Sequence, residues 1–121
     1  MIEYDFEKLN VYQEALLLTE NVYRLTKSFP PDEQYGMKSQ IRRAAMSVAL
    51  NIAEGKGRYH AKVFTQFLYQ ARGSLFETMT VLKLSYSLGY LGEQEVTTAL
   101  DQADKLAAFL NNLIKSLSPG R

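Results

Sequence analysis

Apolar residues recur three and four positions apart along four stretches of this chain, and that spacing limits the possible folds more than any other feature. It is the period of one face of an α-helix, whereas a half-buried strand alternates every second residue. The predicted buried faces comprise Leu9, Tyr12, Leu16, Thr19, Val22 or Tyr23, and Thr26; Met37, Ile41, Ala44, Ala45, Val48 and Ile52; Phe64, Phe67, Leu68, Ala71, Leu75, Thr78, Leu82 and Ser85; and Val96, Leu100, Ala103, Ala107, Leu110, Ile114 and Leu117. The sequence therefore predicts an all-α protein.

Proline and glycine residues separate the four stretches. Phe29–Pro31 ends the first, because proline disfavours helical geometry at the preceding residue and lacks an N–H donor. Gly55–Gly57 and Gly89–Gly92 separate the others, since glycine readily adopts the left-handed conformation of a helix C-terminus. The predicted helices cover about residues 5–28, 33–54, 60–88 and 93–117 of one domain, 1–121. Long helices joined by short connections run antiparallel, so we expect an up-down-up-down four-helix bundle.

Composition excludes several classes of function. The chain has no cysteine and one histidine, so it lacks the ligands of a zinc or iron–sulfur site, and we expect no metal or cofactor. Glu54 and Glu77 lack the Glu-x-x-His pattern of a di-metal bundle, and no phosphate-binding loop is present, which favours a non-catalytic protein. The polar N-terminus and the absence of a long apolar run predict a cytoplasmic protein without a membrane segment.

Basic residues are concentrated in the middle of the chain, although the net charge is only +1. Residues 1–34 carry seven acidic and three basic groups, whereas residues 35–89 carry eight basic and two acidic groups. Such an asymmetry indicates either an acidic ligand or charge pairing between segments or subunits. The candidate phosphate contacts on helices 2 and 3 are Lys38, Arg42, Arg58, Lys62 and Arg72.

A line of polar residues runs beside the apolar face of the second helix. We predict a structural network, at a helix boundary or an assembly interface, that contains Gln40, Arg43, Asn51, Glu54 and Glu77. Arg43 and Glu77 are expected to be buried and paired if the charges serve assembly. Gly73 in the third helix costs roughly 1 kcal/mol relative to alanine, so it predicts close backbone approach there.

Several short segments resemble those of one protein family. They are residues 9–15, 29–36, 39–45, 51–58, 67–74 and 88–91. Together they resemble the four-helix bundle proteins, also called 23S ribosomal RNA intervening-sequence proteins, although Tyr12 stands where that family more often has tryptophan. The resemblance implies a homopentamer with no established enzymatic activity. The family is also similar to the accessory protein of diversity-generating retroelements, a pentameric barrel that binds nucleic acid and a reverse transcriptase.

Two functions remain open from the sequence. The first is an oligomer that binds RNA or DNA through basic residues of helices 2 and 3, with affinity that falls steeply with salt. The absence of interleaved exposed aromatic residues and of a helix-turn-helix pattern argues against it. The alternative is a scaffold or adaptor that binds a protein partner and uses its charges in subunit assembly.

Overall fold

The computed structural model describes residues 1–118 and contains four α-helices. These are α1 (Asn10–Thr26), α2 (Met37–Lys56), α3 (Ala61–Ser87) and α4 (Glu93–Ser116), with short 3-10 helices at Asp5–Lys8 and Pro31–Glu33. Each helix packs against its neighbours in the chain, and α1 packs against α4, which closes the bundle. The predicted all-α antiparallel four-helix bundle is confirmed. No helix within residues 1–118 is both long enough and apolar enough to cross a membrane.

Two helices begin later than the sequence predicts. Leu9 has extended backbone angles (φ −73°, ψ 132°), so Asp5–Lys8 forms a separate 3-10 turn ahead of α1. The acidic residues after Pro31 also form a 3-10 turn, and α2 starts only after Gly36. At the other end, α2 continues through Gly55, and the left-handed residue is Tyr59 (φ 58°) and not a glycine. α4 begins at Glu93, as predicted, and the Gly92 N–H just before it donates to Glu95 Oε1 at 2.9 Å.

The predicted buried faces of α2, α3 and α4 agree with the structure, whereas that of α1 is correct at Val22 and Thr26 but displaced by about one residue earlier in the helix. Leu16 is exposed, and the residues of α1 that enter the core are Val11, Ala15, Leu18 and Val22. Residues 15–18 are apolar without interruption, so spacing alone leaves the rotation of α1 undetermined. Packing against α2 and α4 determines which side is buried.

α3 packs closely against α2 at Gly55, not at Gly73. A Cβ atom added to Gly55 would lie 2.6 Å from Phe67 Cβ and 3.0 Å from Phe64 Cδ1. A Cβ atom on Gly73 would meet no atom of residues 1–118 within 4 Å, and this residue is exposed. The expectation of tight packing at Gly73 is therefore wrong within one chain, because Gly73 faces away from α2 and the core.

A cluster around Glu33 joins the α1–α2 and α3–α4 connections. Glu33 Oε1 accepts from the Met37 N–H at 3.0 Å, and Glu33 Oε2 accepts from the Tyr90 hydroxyl at 2.8 Å. The rings of Tyr90 and Phe29 lie 5.3 Å apart. The bond from Met37, and secondarily that from Tyr90, lowers the pKa of Glu33 below 4.5. The hydrogen bond to Glu33 raises the pKa of Tyr90.

The lowered pKa of Glu33 gives a predicted pH dependence of stability. The hydrogen bonds of the folded state stabilise the ionised form of Glu33, so its contribution to the free energy of unfolding is complete well above pH 4.5. It is lost as the pH falls through the lower, folded pKa. Thermal unfolding should show wild-type protein more stable than Glu33→Gln at neutral pH, with a gap that closes in acid. Asp101→Asn, a control at an exposed residue, should have the melting temperature of wild type at neutral pH. A loss as large as that of Glu33→Gln would contradict the prediction.

Candidate nucleic-acid interface

The basic residues predicted to contact phosphate lie in three separate places. Lys38 and Arg42 belong to the first turns of α2, whereas Arg58 and Lys62 flank the α2–α3 connection at the opposite end of the bundle. A rise of 1.5 Å per residue along α2 separates these two places by roughly 25 Å. Arg72 belongs to α3, and its Nη1 donates to Oδ1 of Asn111 on α4 at 2.9 Å. Within residues 1–118 these five cations therefore do not form one continuous basic surface on helices 2 and 3.

Lys38 and Arg42 lie in an open cleft between the end of α1 and the start of α2. This α1–α2 cleft has a volume of about 350 Å³ and is lined by Tyr23, Gln34, Tyr35, Lys38, Ser39, Arg42, Arg43 and Met46. Three of the eight lining residues are cationic and two are tyrosines. A concave site with this lining offers positive charge and flat aromatic surface at the same place.

Arg42 is held in one orientation at the centre of the cleft. Its Nε donates to the hydroxyl of the buried Thr26 at 2.9 Å, and its Nη2 donates to the carbonyl of Tyr23 at 3.0 Å. The guanidinium carbon lies over the Tyr23 ring, 4.4 Å from its centroid, which is a cation–π contact. Because the side chain is already ordered, a ligand of Arg42 avoids part of the entropy cost of binding.

The cations of the α1–α2 cleft form no salt bridge within residues 1–118. The salt bridges among residues 1–118 join Lys56 to Asp5, Arg58 to Glu54 and Lys105 to Glu14, at 4.0, 3.9 and 3.3 Å respectively. None involves Lys38, Arg42 or Arg43. The two ends of α2 thus differ, since basic side chains at its C-terminal end have acidic neighbours.

The residues of the predicted polar network form separate small groups. Gln40 Nε2 donates to Glu77, whereas the amide of Asn51 donates to the carbonyl of Ser47 at 2.8 Å. Glu54 contacts Arg58 instead of joining either group.

Arg43 and Glu77, expected to be buried and paired, are both exposed, and Arg43 donates to Ser39 Oγ at 3.3 Å. Ser47 and Ser74, whose hydroxyls are 3.0 Å apart, occupy the boundary between α2 and α3. Because short side chains fill this boundary, the long ones extend into solvent. The predicted pairing of Arg43 with Glu77 is therefore wrong within one chain.

Sequence reasoning missed Tyr23 and Tyr35 as neighbours of the basic residues. Tyr23 belongs to α1 and Tyr35 to the connection before α2, so neither is interleaved with the cations along the chain. Folding brings both rings to the cleft, together with Arg43, which the sequence assigned to the polar network. The available signal was a tyrosine in a polar connection beside Gly36, where no buried face requires an aromatic ring.

Comparison with known proteins identifies the family of this chain. The family described as "23S rRNA-intervening sequence protein" matches residues 7–112. The chain is similar in structure to a protein of unknown function from the S23 ribosomal protein family of Bacteroides thetaiotaomicron, with a TM-score of 0.78 and 20% sequence identity. That similarity covers 87% of this chain and 98% of the other. None of the curated proteins compared with the chain matches it. The chain belongs to the 23S rRNA-intervening sequence protein family.

Proposed function

We propose that this chain is a non-catalytic, oligomeric protein of the cytoplasm that binds RNA or DNA through the α1–α2 cleft. The observation that supports the proposal is the grouping of Lys38, Arg42 and Arg43 without a carboxylate within 4.0 Å among residues 1–118. Cationic groups placed together without acidic partners repel one another, and a polyanion relieves that repulsion. Phosphate oxygens also accept the remaining N–H donors of Arg42, whose planar fork matches them in geometry.

The basic residues outside the cleft have a secondary role in this proposal. Arg58 is partly neutralised by Glu54, and Arg72 already donates to Asn111. Lys62 borders the N-terminus of α3, where it extends the positive charge at the opposite end of the bundle. A long nucleic acid contacting the cleft could reach these groups across the length of α2, which would add affinity through weaker contacts.

Reversing two charges of the cleft should weaken nucleic-acid binding. We expect Lys38→Glu combined with Arg43→Glu to lower the affinity for a fluorescent RNA oligonucleotide at least about tenfold at low salt. Arg42 is left unchanged because its hydrogen bonds to α1 make it part of the fold. Wild-type affinity, measured by fluorescence anisotropy, should itself fall about twentyfold to fortyfold when salt rises fourfold, as expected for three phosphate contacts.

Two double variants with the same change in net charge serve as controls. Lys83→Glu with Lys115→Glu should bind almost as well as wild type, because both residues lie outside the cleft. Arg58→Glu with Lys62→Glu should have an intermediate effect. Equal losses in all three double variants would show a response to net charge alone, and no RNA or DNA binding at low salt would exclude the proposed function.

A stripe of exposed residues on α3 supports the oligomeric part of the proposal. This α3 outer stripe consists of Tyr69, Gly73, Phe76, Thr80 and Leu84, which follow one another at spacings of four, three, four and four. The side chain of Phe76 is 49% exposed, and Tyr69 and Leu84 are exposed to a similar extent. Apolar side chains at helical spacing that face away from the core indicate a contact with another molecule.

Gly73 strengthens the case that a second copy of the chain covers this stripe. A glycine in a helix interior costs roughly 1 kcal/mol relative to alanine, and nothing in the described chain lies close enough to require it. A helix of a neighbouring subunit packed across Gly73 would supply the reason. Leu50, exposed on α2 outside the lining of the cleft, belongs to a second and different apolar surface, which a ring of identical subunits requires. Five subunits is the number that the family resemblance implies.

The alternative function is a scaffold or adaptor that binds a protein partner through the same stripe. Exposed apolar side chains on α3 favour it as much as they favour self-association. The mass of the purified chain in solution distinguishes the two, because self-association gives a multiple of 13.8 kDa without any partner. A monomer that binds no nucleic acid would favour the adaptor.

A further inference from the structure

We infer that the α1–α2 cleft recognises unpaired bases, so that the ligand is single-stranded nucleic acid and not a duplex. This inference rests on the proposed function and concerns the same site. It starts from the two tyrosines, which phosphate binding does not use. Lysine and arginine alone would suit a duplex backbone, but stacking surfaces serve only bases whose faces are free.

Tyr35 is the more accessible of the two tyrosines. It is 95% exposed and lies in the connection immediately before α2, at the edge of the cleft. An aromatic ring so exposed contributes almost no apolar burial to the bundle. Single exposed aromatic residues are common, but this one lies beside three cationic side chains. Its position suits stacking on a base whose neighbouring phosphate is bound by Lys38 or Arg43.

Arg42 and Tyr23 provide a second flat surface in the same cleft. The guanidinium carbon lies over the Tyr23 ring, 4.4 Å from its centroid, and hydrogen bonds to Thr26 and the Tyr23 carbonyl hold the group in place. Guanidinium planes stack on unpaired bases in RNA-binding proteins, and a fixed plane loses little entropy when it does so.

The dimensions of the cleft also favour a single strand. Its volume of about 350 Å³ lies at the lower end of the range for small-ligand sites, which suits one base with its phosphate. Duplex recognition of sequence requires an element that enters a groove, such as a helix or a β-ribbon. The cleft is concave, and its tyrosines could reach the bases of a duplex only after these had been unpaired.

Binding of a short unstructured RNA strand and of the duplex of the same length tests the inference. We expect the single strand to bind wild-type protein about tenfold more tightly than the duplex. Tyr35→Ala should lower single-strand affinity about tenfold, the loss of one stacked base, and leave duplex affinity unchanged. Tyr35→Phe should bind like wild type, because the ring is retained.

Tyr59→Ala is the matched control, since Tyr59 is 89% exposed and lies in the connection at the opposite end of α2. It should retain nearly all single-strand affinity. Equal affinity for both forms of RNA, or wild-type binding by Tyr35→Ala, would overturn this inference. If charge reversal at Lys38 and Arg43 still weakened binding, the proposed function would stand. Absence of binding to either form would overturn both.

Discussion

Replacing Gly55 with valine is expected to lower the free energy of unfolding by about 3 kcal/mol, the upper part of the usual range for an overpacked core. The nearest atom to an added Cβ is Phe67 Cβ at 2.6 Å. That carbon is fixed to the backbone of α3, so rotation of a side chain cannot relieve the clash. The two helices must instead separate where Phe64 and Phe67 pack, and their separation opens space elsewhere in the core.

Thermal unfolding of a size series measures the effect at Gly55. Gly55→Ala should lower the melting temperature and Gly55→Val should lower it further, by about 4 °C for each kcal/mol in a domain of this size. Gly57→Ala is the control two residues away. A Cβ there would meet only the Glu54 and Ala53 carbonyls, at ordinary distances of 3.5 and 3.6 Å. Equal melting temperatures for Gly55→Ala and Gly57→Ala would contradict the packing argument.

The two helical glycines show what sequence can and cannot predict about this fold. A glycine within a helix signals that something packs closely, and the sequence pointed to Gly73 as the residue against which α2 packs. Gly55 appeared to end α2, whereas in the structure it lies within the helix and contacts α3. The spacing of apolar residues predicts the buried faces of α2, α3 and α4. Which glycine lies against a neighbouring helix depends on how the helices are paired and rotated.

The candidate site was predictable only in part for a similar reason. Charge counting along the chain identified Lys38 and Arg42, because it needs no knowledge of the fold. Tyr23 and Tyr35 come from different segments and reach the cleft only when α1 packs against α2. The same packing fixes Arg42, since its hydrogen bonds go to Thr26 and Tyr23 of α1. These hydrogen bonds join residues 16 and 19 positions apart, so the pattern of a short stretch of sequence does not reveal them.

The α1–α2 cleft and the α3 outer stripe lie on different helices, so binding and assembly can be tested separately. The cleft uses side chains of α1, α2 and their connection, and the stripe belongs to α3. Substitutions at Phe76 therefore leave the cleft of each subunit intact. Any loss of nucleic-acid affinity that accompanies loss of assembly would then measure avidity, the gain from several clefts binding one strand.

Replacing Phe76 with aspartate is expected to convert the assembled protein into monomers of 13.8 kDa. Phe76 lies in the middle of the α3 outer stripe, and an aspartate buried there against a second subunit would carry an unpaired charge. Removal of such a charge from water costs several kcal/mol for each interface, enough to dissociate most assemblies. Within one chain the change should be tolerated, because Phe76 is half exposed and outside the core.

Light scattering and circular dichroism together distinguish lost assembly from lost folding. Phe76→Asp should retain the helical signal of wild type while its mass falls to that of one chain. Tyr86→Asp is the matched control, since Tyr86 has nearly the same exposure but lies on another side of α3, beside Glu93 and Val96 of α4. It should keep the wild-type mass. A monomeric wild type, or an unchanged mass in Phe76→Asp, would show that the stripe does not join copies of this chain.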